Sequence, residues 1–222
     1  MAIGVPGGEA GRRGRLRSGA ESLGVLLSEL QTDRLLAYLT LLERWNKVHN
    51  LSAIRDLEAM LTQHLLDSLA VVGPLRRHAA GRALRILDVG CGAGLPGLVW
   101  AIAEPQWLVT AIDAVEKKIA FVRQAVGELG LTNLLPLHGR IEQAPTLAAF
   151  DVVASRAFAS LRDFIALTRG RLAVDGVWLA MKGSLPREEI AALEAELDVF
   201  HVEHLQIPGL AAERCLVWIR KR

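Results

Sequence analysis

The chain has 222 residues, of which 51% are apolar and 23% charged, with a formal net charge of +2. This length suits one large domain with an appendage, and the near balance of charges excludes a basic field over the whole surface. No apolar run approaches the length of a membrane span, and the two cysteines, Cys91 and Cys215, match no metal site or disulfide framework. We therefore expect a cytoplasmic protein with no membrane partner and no metal.

The first twenty residues are rich in glycine and arginine and offer almost nothing to bury. This composition predicts a disordered basic arm over residues 1–20. Such an arm suits contact with nucleic acid, although an extension without a function fits the composition equally well.

Residues 21–81 are predicted to form a helical segment. Apolar residues repeat at helical spacing from Leu23 to Leu30, from Leu35 to Trp45 and over 56–72, with an interruption over 46–54. His64 falls on the apolar face of the third helix, where a hydrogen-bonded core histidine is more common than a ligand.

Strands and helices alternate over residues 82–222. The strands are predicted at 84–89, 108–112, 134–138, 151–155, 176–181, 199–206 and 214–220, and the helices at 96–103, 115–129, 161–172 and 186–196. Alternation of this kind predicts an α/β, Rossmann-like fold with a mostly parallel seven-stranded sheet covered on both faces. The short connection between the last two runs favours an antiparallel pair.

The chain is organised around a glycine-rich loop that runs from Asp88 to Gly97, between the first strand and the helix after it. Such a loop lets a ligand approach the backbone and points free N–H groups at it. One register, Gly92-x-Gly94-x-x-Gly97, fits the dinucleotide fingerprint. The other, Asp88-x-Gly90-x-Gly92-x-Gly94, places a carboxylate at the end of the strand, where it suits the ammonium of a methionine moiety.

The carboxyl ends of the other strands supply the remaining candidates, because ligands bind there in open α/β sheets. Asp113 is expected to bind ribose hydroxyls, and an adenine could lie against Ile141 with Glu142 beside it. Arg156 and Lys182 would place two cations beside the transferred methyl group. Phe158 could stack on an unpaired base.

Several stretches resemble one family, the bacterial small-subunit ribosomal RNA guanine-N7 methyltransferases, once named glucose-inhibited division protein B. The resemblance runs from about residue 25 to the C-terminus, and its matching stretches are 45–54, 64–69, 88–97, 155–160 and 181–183. The glycine motif alone is generic. Its Leu95-Pro96-Gly97 extension together with Ser155-Arg-Ala-Phe-Ala-Ser160 is far more specific.

The resemblance implies a class I methyltransferase domain behind a small helical N-terminal segment. It implies S-adenosylmethionine as methyl donor, S-adenosylhomocysteine as product, and N7 of a guanine in the decoding region of 16S ribosomal RNA as acceptor. The partner is then 16S ribosomal RNA or the small ribosomal subunit. The cofactor contacts implied by the family motif fall on Gly90, Leu95, Ile141, Glu142 and Arg156.

Further roles are inferred from the residues and their positions, independently of the resemblance. The predicted cofactor site is completed by Asp88, Gly92, Gly94 and Asp113. Arg156 and Lys182 would position the guanine, and no residue is expected to act as a general base. Contacts to RNA are predicted at Lys117, Lys118, Arg123, Phe158 and Lys182. Three alternatives remain open: a small-molecule methyltransferase, an NAD-dependent oxidoreductase, and a ribosome-binding protein that has lost activity.

Overall fold

A seven-stranded sheet forms the centre of the molecule, with the strand order β3-β2-β1-β4-β5-β7-β6. The computed structural model describes residues 8–144, 148–156, 158 and 160–222. Neighbouring strands are parallel from β3 to β5, and β7 is antiparallel to both β5 and β6. The strands are β1 (Arg85–Val89), β2 (Leu108–Asp113), β3 (Leu134–His138), β4 (Phe150–Ser155), β5 (Leu172–Lys182), β6 (Leu197–Leu205) and β7 (Arg214–Lys221).

The central strands are buried on both faces, as their continuous apolar runs predict. In β1 and β2 every residue after the first is buried. One apolar cluster packs the sheet against the N-terminal helices and the helices at Gly97–Ala103 and Glu116–Leu129, and a second packs the other face against the helix at Leu161–Thr168. The parallel sheet, its covered faces and the antiparallel C-terminal pair are therefore confirmed.

The helices are α1 (Glu9–Ser22), α2 (Glu29–His49), α3 (Leu57–Met60), α4 (Asp67–Leu69), α5 (Val72–Ala79), α6 (Gly97–Ala103), α7 (Glu116–Leu129), α8 (Leu161–Thr168) and α9 (Arg187–Ala191). A π-helical segment, Leu61–Leu66, joins α3 to α4. Single-turn 3₁₀ helices follow β3 at Ile141–Gln143 and α8 at Arg169–Arg171.

The predicted disorder of residues 1–20 is wrong for the part that the structure describes, because residues 9–22 form helix α1. Leu16, Gly19 and Ala20 are buried along one face of this helix. Its arginines pair with carboxylates of the following helices, as Arg13 does with Asp33 and Arg15 with Glu58. Residues 1–7 of the expected arm lie outside the described residues.

The helices after α1 also differ from their predicted limits. No separate helix forms between α1 and α2: residues 23–28 connect them, Leu26 is exposed, and Leu30 already belongs to α2. Helix α2 begins after Ser28, whose hydroxyl accepts the N–H of Gln31 in a capping box. It then continues four residues into the expected interruption and ends at His49, while residues 50–54 are not helical. Helices α8 and α9 end earlier than predicted, and β5 begins earlier.

The helical N-terminal segment and the sheet share a core. A single cluster of buried residues extends from Leu16 in α1 to Trp218 in β7. The division of the chain into a helical segment at 21–81 and a methyltransferase domain at 82–222 therefore stays a prediction. Among the residues that the structure describes, no helix is both long enough and apolar enough to cross a membrane.

Candidate functional site

The glycine loop after β1 exposes its backbone to open space. The N–H groups of Gly90 and Cys91 donate to the carbonyl of Ile112 in β2, at 2.9 and 3.1 Å. Gly90 and Gly92 have φ angles of +71° and +58°, and a Cβ at either position would meet nothing within 4 Å. Glycine is favoured at both positions by the backbone conformation, and a ligand can approach the loop closely there.

Asp88 lies at the base of this loop with one oxygen unpaired. Its buried side chain accepts the N–H of Gly97 on Oδ2 at 2.9 Å. Its Oδ1 is also buried and has no hydrogen-bond partner among the described residues. Burial raises the pKa of the carboxyl to about 7, although the Gly97 N–H and Arg156 oppose that shift. An unpaired carboxylate oxygen beside an open loop fits a cationic ligand group, such as an ammonium.

Asp113, at the end of β2, holds the same loop from its other side. Its carboxylate accepts the N–H groups of Gly92 and Val115, each at 2.9 Å. The Nζ of Lys118 lies 3.6 Å from Asp113 Oδ2, so this lysine faces the loop region that the sequence assigned to the cofactor. The structure therefore brings Asp88, the glycines and Asp113 together, and it connects Asp113 to the start of α7.

Helix α2 reaches the loop through Tyr38. The hydroxyl of this buried side chain donates to the carbonyl of Ala93 at 2.8 Å. This contact was not predicted from the sequence. The available signal was that Tyr38 is the one tyrosine of the chain, placed among the leucines of α2, because a buried tyrosine hydroxyl needs a partner.

The turn after β3 packs beside the end of β2, where the N–H of Gly139 donates to the carbonyl of Asp113 at 3.1 Å. Ile141 is buried in the core, and Glu142 is exposed with its carboxylate 4.0 Å from Arg140. The turn thus lies at the edge of the sheet expected for an adenine. Contact of Ile141 and Glu142 with a cofactor stays a prediction.

A cavity of about 360 Å³ opens at the carboxyl ends of β4 and β5. Arg156 follows β4, Lys182 ends β5, and Arg214 begins β7; all three line the cavity. The rest of its lining is Ile54, Gln63, His64, Asp67, Met181 and Gly183. The two predicted cations therefore do lie together, and a third joins them.

Each cation in this cavity has an acidic partner. Asp67, almost fully buried, accepts Nε of Arg214 at 2.7 Å and Nη1 of Arg156 at 3.4 Å. Lys182 lies 2.9 and 3.1 Å from the two carboxylate oxygens of Glu189. Neither acid was predicted at the site: Asp67 comes from the helical segment, which packs across the ends of the strands, and Glu189 comes from α9.

His64 is buried with a partner, since its Nε2 lies 2.8 Å from the hydroxyl of Ser52. Burial lowers its pKa to about 4, and the charge of Arg156 adds to that shift. The expectation of a hydrogen-bonded core histidine is confirmed. The same side chain also lines the cavity, a position that was not predicted.

The remaining residues predicted to contact RNA lie on two parts of the fold: Phe158 follows β4, whereas Lys117 and Arg123 lie on α7. The ring of Phe158 packs against Phe164, with 5.3 Å between the centroids. Lys117 and Arg123 are exposed on α7. Ala157 and Ala159, which flank Phe158 in the family motif, lie outside the described residues.

The sheet order and the glycine loop after β1 are those of the class I methyltransferase fold. The chain is similar to the crystal structure of the N-methyltransferase NodS from Bradyrhizobium japonicum WM9, with a TM-score of 0.54 and 17% identity over 70% of this chain and 96% of that one.

Sequence comparison identifies the family. The model of the GidB family, described as rRNA small subunit methyltransferase G, matches residues 31–217. A protein named ribosomal RNA small subunit methyltransferase G from Acidovorax sp. (strain JS42) is 57% identical over 92% of this chain and 93% of its own. One of the same name from Leptothrix cholodnii is 55% identical over 95% of this chain and 96% of its own. The chain belongs to the GidB family of small-subunit ribosomal RNA methyltransferases.

Proposed function

We propose that the protein transfers the methyl group of S-adenosylmethionine to N7 of a guanine in the decoding region of 16S ribosomal RNA. Family membership supports the reaction class and the RNA substrate. The observation that carries the cofactor assignment is the unpaired, buried Oδ1 of Asp88 beside a glycine loop open to a ligand. A dinucleotide would instead bring a pyrophosphate to this carboxylate, which disfavours an NAD-dependent oxidoreductase.

In this proposal the cofactor lies across the ends of β1 and β2. Asp88 accepts the ammonium of the methionine moiety, and the backbone of the glycine loop contacts the rest of that moiety. Asp113 accepts the ribose hydroxyls with its carboxylate, which the loop and α7 already hold in place. The full set of proposed contacts is Asp88, Gly90, Gly92, Gly94, Leu95, Asp113, Ile141, Glu142 and Arg156.

The RNA would enter from the side of the cavity, where Arg156 and Lys182 position the base or its phosphates. Phe158, Lys117 and Arg123 are proposed to extend the contact to neighbouring nucleotides. Lys118 is proposed as a further RNA contact, although its position 3.6 Å from Asp113 also suits the cofactor. The bound partner is 16S ribosomal RNA, either free or within the small subunit.

No general base is needed for this reaction. Guanine N7 carries a lone pair in the ring plane at neutral pH, so it can attack the methyl carbon without losing a proton. His64 lies in the cavity, but its low pKa and its bond to Ser52 make it a poor proton acceptor near pH 7. Catalysis would then come from holding N7, the methyl carbon and the sulfur in line.

The test is methyl transfer from methyl-labelled S-adenosylmethionine to 16S ribosomal RNA, offered both as free RNA and as small subunits that lack the modification. We expect label at a single guanine, located by cleavage at N7-methylguanine, and calorimetric binding of S-adenosylmethionine but not of NAD. Label that appears only in a small molecule would support the alternative of a small-molecule methyltransferase. Binding of NAD alone would overturn the cofactor assignment.

A further inference from the structure

We propose that Arg214, acting together with Arg156, binds a phosphate of the substrate RNA next to the guanine that is methylated. This inference rests on the proposed function, because it assigns a part of the RNA to one side of the same cavity. Arg214 lies far from the glycine loop in sequence and outside the stretches that carry the family resemblance. The register between β5 and β7 brings it to the site.

The position of Arg214 follows from the antiparallel pairing of β5 and β7. Cys215 in β7 is opposite Lys182 in β5, so the residue before it, Arg214, lies at the carboxyl end of β5. Arg156 reaches the same place from the end of β4. Arg214, Arg156 and Lys182 therefore converge on one cavity of about 360 Å³.

Asp67 holds two of these cations as a pair. Its two carboxylate oxygens lie 2.7 Å from Nε of Arg214 and 3.4 Å from Nη1 of Arg156. Since the Asp67 side chain is only 2% exposed, the two guanidinium groups are fixed relative to each other by a buried anchor. Asp67 follows directly on the π-helical segment, a type of distortion that is frequent at functional sites. We assign Asp67 a positioning role.

The side chains of the cavity and their acidic partners carry a net positive charge, which favours binding of an anion. Arg156, Lys182 and Arg214 have two carboxylate partners between them, Asp67 and Glu189, and His64 is neutral near pH 7. The side chains of Arg214 and Arg156 stay 25% and 27% exposed on the cavity wall. A purely structural ion pair would not require an open cavity beside it.

The geometry favours a phosphate as the ligand. A guanidinium has five N–H donors in a planar fork that matches two oxygens of a phosphate, and two such groups held side by side can share one phosphate. A nucleotide whose base reaches the cofactor must bring its own phosphates to the rim of the same cavity. A carboxylate of the cofactor would have similar chemistry, and the experiment below separates the two.

The experiment compares Arg214→Gln with Arg220→Gln in the full chain. Arg220 is a matched control, since it lies on the same strand, is exposed and pairs with Asp198. Three quantities are measured: the affinity for unmodified small subunits as a function of KCl concentration, the calorimetric Kd of S-adenosylmethionine, and the midpoint of thermal unfolding. Steady-state transfer then gives KM for the subunits and kcat.

We expect Arg214→Gln to weaken binding of the subunits by about tenfold or more, because a charge-assisted hydrogen bond is lost. The log–log salt slope should become shallower by about 0.7, the contribution of one phosphate contact on single-stranded RNA. KM for the subunits should rise while the Kd of S-adenosylmethionine stays unchanged. Arg220→Gln should leave all of these quantities as in the unmodified protein.

Two results would overturn the inference. A weaker Kd for S-adenosylmethionine with an unchanged salt slope would assign Arg214 to the cofactor carboxylate. A lower unfolding midpoint with unchanged binding of subunits would show that Arg214 only anchors Asp67. If the unmodified protein itself neither binds nor methylates subunits, the proposed function fails, and that result is distinct from either of these.

Arg214→Lys provides the second variant, because it keeps the charge and the partner for Asp67 but lacks the fork. We expect it to retain the salt slope and to lose several-fold in affinity for subunits. If Arg214→Lys binds the subunits as tightly as the unmodified protein, Arg214 does not contact the phosphate through two donors. This test holds even if Arg214→Gln fails to fold.

Discussion

The carboxyl group of Asp88 is buried with one oxygen unpaired, and this has a consequence for stability. Its pKa is about 7 in the folded protein, whereas an aspartate in an unfolded chain has a pKa of about 3.9. Between these values the folded state holds more protons than the unfolded state. Stability of the ligand-free protein should therefore fall as pH rises from about 4 to 7, by at most about 1.4 kcal/mol for each pH unit.

The measurement is denaturant unfolding of the ligand-free protein between pH 4.5 and 7.5. In Asp88→Asn the contribution of this group disappears, so the free energy of unfolding should depend less on pH and should be higher at pH 7.5. Asp198→Asn is the control, since Asp198 is paired with Arg220 on the edge of the sheet. An equal pH slope in Asp88→Asn and the unmodified protein would contradict the raised pKa.

Asp113 is predicted to matter for both the loop and the cofactor. Its carboxylate accepts the N–H groups of Gly92 and Val115, and hydrogen bonds to a charged group contribute about 1.5–3 kcal/mol each. Asp113→Ala should lower the affinity for S-adenosylmethionine and lower stability, because the loop and the ribose lose the same acceptor. Calorimetry with the cofactor tests this, and an unchanged Kd would exclude Asp113 from the cofactor site.

At the scale of whole elements, helix α1 is held by close packing as well as by ion pairs. A Cβ at Gly19 would lie 2.8 Å from the methyl carbons of Leu66 in the π-helical segment, whereas a Cβ at Gly14 would meet nothing within 4 Å. Gly19→Leu should therefore destabilise the protein by about 1–3 kcal/mol relative to Gly14→Leu, which makes the same change on the exposed side of the helix.

Thermal and denaturant unfolding of the two variants provide the comparison. Since the π-helical segment leads directly to Asp67, Gly19→Leu should also weaken binding of the small subunit more than Gly14→Leu does. Equal stabilities of the two variants would show that α1 does not pack on Leu66 in solution.

The sequence predicts some elements better than others, and the reason is the range of the contacts that form them. Strands β1 and β2 and helix α7 carry their own apolar pattern, so each could be predicted from its own residues. Helix α1 carries little such pattern. It is stabilised by Leu66 and Glu58, which lie some forty residues further along the chain.

The candidate site follows the same rule. Four site residues were predictable because each lies at or next to the carboxyl end of a strand, and in parallel strands these ends meet at one edge of the sheet. They are Asp88, Asp113, Arg156 and Lys182. Arg214 lies at the start of an antiparallel strand, so its place depends on a register that the sequence does not reveal. The contact of Tyr38 with Ala93 and that of Asp67 with Arg156 join distant parts of the chain.

On the scale of the whole molecule, the helical segment and the sheet form one structure around the site. They share a continuous core from Leu16 to Trp218, and the segment supplies Tyr38 to the glycine loop and Asp67 to the cavity. Removal of either part would expose apolar surface on the other. We therefore expect the two parts to unfold together, in one cooperative transition.

Differential scanning calorimetry of the full chain tests this cooperativity. A single transition is expected, with equal calorimetric and van't Hoff enthalpies. S-adenosylmethionine should shift the whole transition to a higher midpoint temperature. The added stability should be about 2.7 kcal/mol at a cofactor concentration of one hundred times Kd. Two transitions, only one of which moved with the cofactor, would mean that residues 21–81 and 82–222 are separate folding units and that the contacts of Tyr38 and Asp67 do not couple them.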